Sequence, residues 1–314
     1  TITGTNDAPE MVAVLNSTGG TAIAADFTVA EDSGAEATDA TTTQTVEGTL
    51  TFNDVDVSSL MAGTENADTH TVTAVVKEVA LGGTIDATYG GPTGTLTIDA
   101  ASLAAMNAND ATGNAVANSV DFDFDITDGD FDFLRAGEVL TITYTVTIDD
   151  GNMNDSSVTQ DITFTITGTN DAPSINTVTF PASAIAESAG DSTMQDLSAT
   201  GTVTVDDADN GDTLTGEVVG TATADLDGTD ISTDPRVADL IANAALTFDA
   251  TVTSDGTTQT LAYTYSVDDA DIDFLAAGET LTLSFDVRVG DGITDSATET
   301  VEITITGTND APVI

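Results

Sequence analysis

Two Asp-x-Asp motifs are the residues of this chain best suited to bind a ligand, and they stand at Asp54–Asp56 and Asp207–Asp209. In an extended segment, alternate side chains lie on the same side and are about 6–7 Å apart. Calcium takes carboxylate oxygens at about 2.3–2.6 Å, so each pair could share one ion or bridge two neighbouring ions. The simpler interpretation of any single acid is a solvated turn residue.

The charge of the chain is strongly one-sided. Asp and Glu number 54 against 4 Lys and Arg, which gives a formal net charge of −50 at pH 7 over 314 residues. Such a surface repels nucleic acids and anionic lipids, whose binding requires basic side chains. It also repels itself unless cations neutralise it. We therefore expect calcium as the cofactor, and neither nucleic acid nor membrane as a partner.

The chain lacks the residues that several other chemistries require. There is no cysteine, so disulfides and thiolate metal sites are excluded, and there is no tryptophan to stack on sugars or bases. His70 is the only histidine, and it is predicted to be a lone, half-exposed residue rather than a ligand. No phosphate loop, HExxH motif or nucleophile elbow is present. We predict that the chain is not an enzyme; a hydrolase would lack an assembled nucleophile or base.

The string ITGTNDAP divides the chain, because it occurs at Ile2–Pro9, Ile166–Pro173 and Ile305–Pro312. Proline ends a strand and holds the preceding residue extended, which is typical of a short, stiff linker. The predicted organisation is a linker from a preceding repeat (1–9), a first repeat (10–169), a second repeat (170–308) and the start of another linker (309–314). No apolar run of 18 residues occurs, and the chain is expected to be a fragment of a longer array.

Alternation of apolar residues with threonine predicts strands throughout. The pattern is clearest from Leu140 to Ile148 and recurs 141 residues later from Leu281 to Val289. About seven short strands per repeat, separated by turn residues, are typical of an immunoglobulin-like sandwich. One short helix is predicted in each repeat, over Ala100–Ala108 after Asp99 and from Pro235 to Ala244 after Asp234. The expected fold class is all-β: two tandem immunoglobulin/cadherin-like sandwiches, each with an accessory helix.

Three segments resemble a known group of domains. GTLTFNDVD, the leucine-x-x-Gly-Glu sequence before the long strand, and TITGTNDAP are similar to the VCBS and cadherin-like repeats of giant bacterial adhesins of the RTX type. The resemblance covers nearly all of both repeats. It implies an extracellular extender at the bacterial surface, with calcium clamped at each junction. Such a module projects distal adhesive domains for cell adhesion and biofilm formation; its partners are the neighbouring repeats, and it is expected to be monomeric.

The resemblance also implies a set of ligands at each junction. We call the end of a repeat that receives the preceding linker its head, and the end that the next linker leaves its foot. The central junction would use Glu138 at the foot, Asn170 and Asp171 in the linker, and Glu187, Asp207 and Asp209 at the next head. The first linker would supply Asn6 and Asp7 facing Glu31, Asp54 and Asp56, and the last would use Glu279, Asn309 and Asp310.

The sequence departs from the cadherin pattern at the start of each linker. Cadherin linkers begin with a further Asp, where this chain has Gly168, and Gly4 and Gly307 in the other copies. One expected ligand is therefore missing. Four acids that precede the foot glutamates are candidates to replace it: Asp130, Asp132, Asp271 and Asp273.

An alternative function remains open at the level of sequence. One repeat could carry a pocket for a glycan or a partner protein, making the chain an adhesive module rather than a spacer. The loops at Met61–Asp68 and Met106–Asn118, which are longer than in the second repeat, motivate this alternative. Loops on a rigid sandwich are frequent binding sites.

Overall fold

The computed structural model describes residues 8–16, 21–22, 26–31, 41–54, 69–110, 118–151, 157–189, 196–242 and 245–310. These residues form two compact units, of which the first ends at Thr169 and the second begins at Asn170. Both are built almost entirely from strands, as alternating sequences of this kind predict. No helix in the described part of the chain has the length and apolar character needed to cross a bilayer.

The first unit has two five-stranded sheets, ordered β2-β1-β4-β8-β7 and β3-β10-β9-β5-β6. Strand β3 runs parallel to β10, whereas the other pairs are antiparallel. The elements are β1 (Glu10–Asn16), β2 (Thr21–Ala22), β3 (Asp26–Ala30), β4 (Thr43–Asn53), β5 (Thr71–Leu81), β6 (Thr84–Ile85), β7 (Thr95–Ile98), α1 (Ala100–Asp110), β8 (Asn118–Thr127), β9 (Val139–Asp149) and β10 (Ser157–Thr167).

The second unit has the same plan, with sheets ordered β11-β13-β18-β16 and β12-β20-β19-β14-β15, and β17 pairing with β14. Strand β12 runs parallel to β20, as β3 does to β10. The elements are β11 (Ser174–Thr179), β12 (Ile185–Ala186), β13 (Asp196–Asp206), β14 (Thr213–Leu226), β15 (Thr229–Asp230), β16 (Leu246–Phe248), β17 (Val252–Thr253), β18 (Gln259–Asp268), β19 (Thr280–Gly290) and β20 (Glu299–Thr306).

Each core lies between the two sheets of its unit. It is formed by the apolar residues of the predicted alternating pattern. In β9, every second residue from Leu140 to Ile148 is buried, and the same holds in β19 from Leu281 to Val289. Phe124 of β8 stacks on Phe164 of β10 in the first core, with ring centroids 3.8 Å apart. The prediction of an all-β sandwich fold is confirmed.

The accessory helices differ between the units. In the first, α1 begins after Asp99, whose Oδ1 accepts a hydrogen bond from Ser102 N, as predicted. In the second, a 3-10 helix begins at Pro235 after the cap Asp234, as predicted, but it ends at Val237 and is followed by turns, so it is shorter than predicted. Tyr265 donates its hydroxyl hydrogen to Leu240 O, which helps to fix that segment as a turn against the core.

Candidate cation-binding clusters

Parallel pairing of β12 with the last strand determines where Glu187 lies. Ile185 and Ala186 pair with Ile305 and Thr306, so Glu187 emerges at the foot of the second unit, beside the departing chain. Its backbone N donates to Thr306 O at 3.1 Å. One carboxylate oxygen, Oε2, accepts a hydrogen bond from Thr308 N in the linker. The linker and the glutamate therefore hold each other in place.

Three carboxylates meet at this foot: Glu187, Asp273 and Asp310 each place a carboxylate oxygen within 4.8 Å of the other two. Glu187 is only 3 % exposed, and its Oε1 is buried without a hydrogen-bond partner among the described residues. Burial raises the pKa of Glu187, the Thr308 N–H lowers it, and the neighbouring carboxylates raise it further. Three crowded carboxylate oxygens are the donor set that a hard cation prefers.

The foot of the first unit repeats this arrangement. Glu31 follows β3, donates from its backbone N to Thr167 O at 3.0 Å, and accepts from Thr169 N through Oε2 at 2.8 Å. A carboxylate oxygen of Asp132 lies within 4.8 Å of one of Glu31. Asp171 occupies the position in ITGTNDAP that Asp310 has in the last copy, and it belongs to the second unit.

These positions correct the assignment of both glutamates. Glu31 and Glu187 were predicted at the heads of their repeats, beside Asp54 and Asp207, but they lie at the feet. The reason is a non-local pairing: each glutamate ends a short strand that runs parallel to the last strand of its own unit. A sequence pattern of local alternation contains no signal for such a pairing.

The two glutamates that were predicted as foot ligands, Glu138 and Glu279, make contacts within a turn. Glu138 lies 3.7 Å from Arg135 Nε, and Glu279 accepts from Ala276 N at 2.8 Å, so both close the turn before a long strand. Neither belongs to a carboxylate cluster of the described residues. Of the four auxiliary acids, Asp132 and Asp273 occupy the clusters, whereas the exposed Asp130 and Asp271 stand outside them.

The linker glycines Gly168 and Gly307 have a steric cause. A Cβ on Gly168 would lie 2.3 Å from Leu134 O, and one on Gly307 would lie 2.6 Å from Ala276 O. Real Cβ atoms do not approach carbonyl oxygens so closely. Each glycine also exchanges backbone hydrogen bonds with this turn, as in the pair from Gly278 N to Gly307 O and from Gly307 N to Glu279 O. The aspartate of cadherin linkers cannot occupy this position.

A second group of acids lies at the head of the second unit. Asp171 N donates to Asp209 Oδ2 at 2.9 Å, and Asp209 N donates to Asp207 Oδ1 at 3.0 Å. Asp209 is fully buried, and its Oδ1 has no hydrogen-bond partner among the described residues. Burial raises the pKa of Asp209 to about 7, opposed by the Asp171 N–H and aided by the charges of Asp207, Asp212 and Asp291. Asp171, Asp207 and Asp209 are thus brought together as predicted.

The structure adds Asp291 to this head. Asn170 Nδ2 donates to Asp291 Oδ2 at 2.9 Å and to Thr294 Oγ1 at 2.9 Å, which anchors the linker on its own unit. In the sequence, Asp291-Gly292 is typical only of a hairpin turn. The sequence signal that could have identified Asp291 is that the equivalent strand of the first unit ends in the same dipeptide, at Asp150.

The head of the first unit is different. Asp54 Oδ2 lies 2.9 Å from His70 Nε2, and both side chains are almost completely buried. His70 is therefore not the half-exposed residue that was expected; Asn107 also accepts from its backbone N at 2.9 Å. The registers of β5 on β9 and of β14 on β19 make His70 equivalent to Leu214.

Some predicted residues contribute less or lie elsewhere. Asn309 is exposed, and its Nδ2 donates to Asp310 O at 3.1 Å. Asn6, Asp7 and Asp56 lie outside the described residues, as do the loop at Met61–Asp68 and most of the loop at Met106–Asn118. The clusters are therefore defined by the second unit and by the foot of the first.

The strand order defines the class of these domains: both units are all-β sandwiches of two sheets. No protein-family model and no curated protein matches the sequence. Among solved structures, the chain is similar to extracellular cadherin domains 1–5 of protocadherin gamma B2, with 14 % identity and a TM-score of 0.41, covering 98 % of this chain and 41 % of that one. The chain thus spans less than half of that protocadherin structure.

Two further structures are similar. The cadherin-like domains 1 to 4 of zebrafish RET share 11 % identity with a TM-score of 0.25, covering 96 % of this chain and 52 % of that one. CfaE, the adhesive subunit of the CFA/I fimbria of enterotoxigenic Escherichia coli, shares 12 % identity with a TM-score of 0.27, covering 63 % of this chain and 66 % of that one.

Proposed function

We propose that this chain is a calcium-rigidified extender segment of a large bacterial cell-surface adhesin, and that it acts outside the cell as a non-enzymatic spacer. The observation that carries the proposal is the foot cluster, in which the buried carboxylate of Glu187 meets those of Asp273 and Asp310 within 4.8 Å. The assignment to bacterial adhesins rests on the resemblance of the linker and strand motifs to VCBS and cadherin-like repeats.

The basic residues of the chain are few, and they form ion pairs. Each of the four forms an ion pair with a nearby acid: Lys77 with Asp161, Arg135 with Glu138, Arg236 with Asp234, and Arg288 with Glu217 and Asp295. Four basic residues cannot neutralise 54 acidic ones, so most of the carboxylates require another counter-charge. Because like charges in a buried site are costly, a cation from solution is the natural counter-charge.

The chemistry of the donors favours calcium over other metals. Carboxylate and amide oxygens are hard ligands that suit calcium, which accepts six to eight of them in flexible geometry. Soft or borderline metals prefer thiolate and imidazole ligands, and the chain has no cysteine and one histidine, His70. Glu187, Asp273 and Asp310 would hold a calcium ion at the foot, and Asp171, Asp207, Asp209 and Asp291 would serve at the head.

The proposed mechanism follows from where these groups lie on a unit. Each linker leaves a foot that carries acids and enters a head that carries acids. When calcium is absent, these carboxylates repel one another and the linker is free to hinge. When calcium is bound, ions shared through the linker would tie one sandwich to the next and stiffen the array, so that distal adhesive domains project further.

Small-angle scattering tests this function directly. The maximum dimension of the 314-residue chain is expected to be larger and better defined in millimolar calcium than in a chelator, at constant ionic strength. The Asp209→Asn and Glu187→Gln variants remove one head and one foot carboxylate. They are compared with Asp249→Asn, which removes an exposed carboxylate on a sheet face, hydrogen-bonded to Thr264. An unchanged scattering profile of the unsubstituted chain on adding calcium would contradict the proposal.

A further inference from the structure

A buried carboxylate stands beside the foot cluster without belonging to it. Asp269 begins the 3-10 turn Asp269–Asp271 after β18 and is 1 % exposed. Its Oδ1 accepts a hydrogen bond from Ser188 N at 3.0 Å. Ser188 directly follows Glu187, so this bond fixes the backbone immediately after the glutamate.

Glu187 is thus held at three points. Its own N donates to Thr306 O, its Oε2 accepts from Thr308 N, and the next amide donates to Asp269. Oε1 of the Glu187 carboxylate is buried without a hydrogen-bond partner among the described residues and is available to a ligand. Partners outside the coordination sphere that orient a ligand in this way are a general feature of metal sites.

Hydrogen bonding alone does not explain why this residue is an aspartate. An asparagine would accept the same bond from Ser188 N without adding a negative charge to a crowded site. Asp269 instead keeps a buried negative charge hydrogen-bonded to the amide that directly follows Glu187. This charge repels Glu187 in the cation-free protein, which is unfavourable. Once a cation is bound, the same charge attracts the cation, which is favourable.

The first unit also has a buried carboxylate at the equivalent position. Asp128, located 141 residues before Asp269, is also fully buried at the start of a 3-10 turn. Its Oδ1 accepts from the side chain of Gln44 at 2.8 Å. The shared property of the two positions is a buried carboxylate at the start of a 3-10 turn.

We propose that Asp269 is a positioning residue for the foot site of the second unit: it orients Glu187 through Ser188 and adds negative potential that strengthens cation binding without ligating the ion. This inference rests on the proposed function, because it assumes that a divalent cation binds at Glu187, Asp273 and Asp310.

The test uses the full 314-residue chain and calcium chloride, with the backbone amide signals of Ser188 and Thr308 followed by NMR as local reporters. The Glu187→Gln variant is expected to lose the calcium-dependent shift of Thr308. The Asp269→Ala variant is expected to bind at this foot about 10–100-fold more weakly. The Asp269→Asn variant keeps an acceptor for Ser188 N, and its affinity should fall by a smaller factor, about 3–10-fold. Asp249→Asn, which removes the same charge at a distant surface, should leave the local affinity unchanged.

The outcomes separate this inference from the function on which it rests. If Glu187→Gln abolishes local binding while both Asp269 variants bind as the unsubstituted chain does, the positioning role is overturned and the cation site stands. If Asp269→Asn alone binds normally, the electrostatic part is overturned. If calcium shifts neither amide in the unsubstituted chain, the foot site itself is wrong. Because Asp269→Asn is isosteric, it still tests the charge if the alanine variant fails to fold.

Discussion

At the head of the first unit, the carboxylate of Asp54 meets the imidazole of His70, whereas at the head of the second the buried Asp209 is surrounded by Asp207, Asp212 and Asp291. The two heads belong to the same fold, and strand register places an apolar leucine where the first unit has its histidine. A buried carboxylate needs a partner in either case. In the first unit part of that requirement is met by a side chain, whereas in the second we expect it to be met by an ion.

The largest effect is expected from removing one acid from each head. Asp54→Asn breaks a buried pair with His70 and should lower the free energy of unfolding of the first unit by about 3 kcal/mol. Asp209→Asn removes a buried like charge, so the second unit should be as stable as before, or more stable, in chelator. Differential scanning calorimetry at pH 7.5, with calcium and with chelator, measures both.

The calcium dependence of these variants decides whether the comparison holds. The loss caused by Asp54→Asn should be similar with and without calcium, whereas Asp209→Asn should remove most of the calcium-induced rise in the melting temperature of the second unit. A calcium response that disappears with Asp54→Asn and survives Asp209→Asn would reverse the assignment of the two heads.

A smaller effect is expected from the linker glycines. Gly307→Ala would place a methyl group 2.6 Å from Ala276 O, and Gly168→Ala would place one 2.3 Å from Leu134 O. Overpacking of this kind typically costs about 1–3 kcal/mol, so chemical denaturation should show each unit destabilised by its own substitution. Gly90→Ala is a suitable control, because its nearest neighbour would be 4.0 Å away. Equal stability of all three variants would show that the linkers do not dock on these turns.

The pH dependence of the second unit should sharpen the contrast between the heads. The pKa of Asp209 is raised to about 7 by burial and by its acidic neighbours, above the value of about 3.9 for an unfolded aspartate. Between these values the folded state binds the additional proton, so in chelator the stability of the second unit should fall as pH rises from about 4 to about 7. The expected change in melting temperature is several degrees. Asp209→Asn should flatten this slope; an unaltered slope would assign it to other groups.

The smallest effect is expected at the surface ion pairs. Lys77 and Asp161 are both about half exposed, so Lys77→Ala should change the free energy of unfolding by less than about 1 kcal/mol. The change should shrink further in high salt. A larger loss would mean that the few basic residues neutralise more of the acidic charge than the proposed metal sites do.

The local alternation of apolar and polar residues was enough to predict most of the strands. The alternating sequences Val46–Phe52 and Val120–Ile126 lie within β4 and β8, because alternation along a strand directly reflects its buried face. The gathering of Asp171, Asp207 and Asp209 was also predictable from the motif resemblance. The positions of Glu31 and Glu187 were not, because they depend on a parallel pairing with a strand far away in sequence. Nothing in the residues around Asp269 distinguishes a buried turn acid from an exposed one.

The parallel pairing at each foot has a mechanical consequence for a chain held at both ends. Tension on the linker pulls the last strand of a unit along its own axis, while the short parallel strand is drawn the opposite way. The hydrogen bonds between the two are then loaded in shear, all at once, rather than opened one after another like a zipper. The first unit has five such residue pairs and the second only two, so the second unit should be the first to yield at its foot under load.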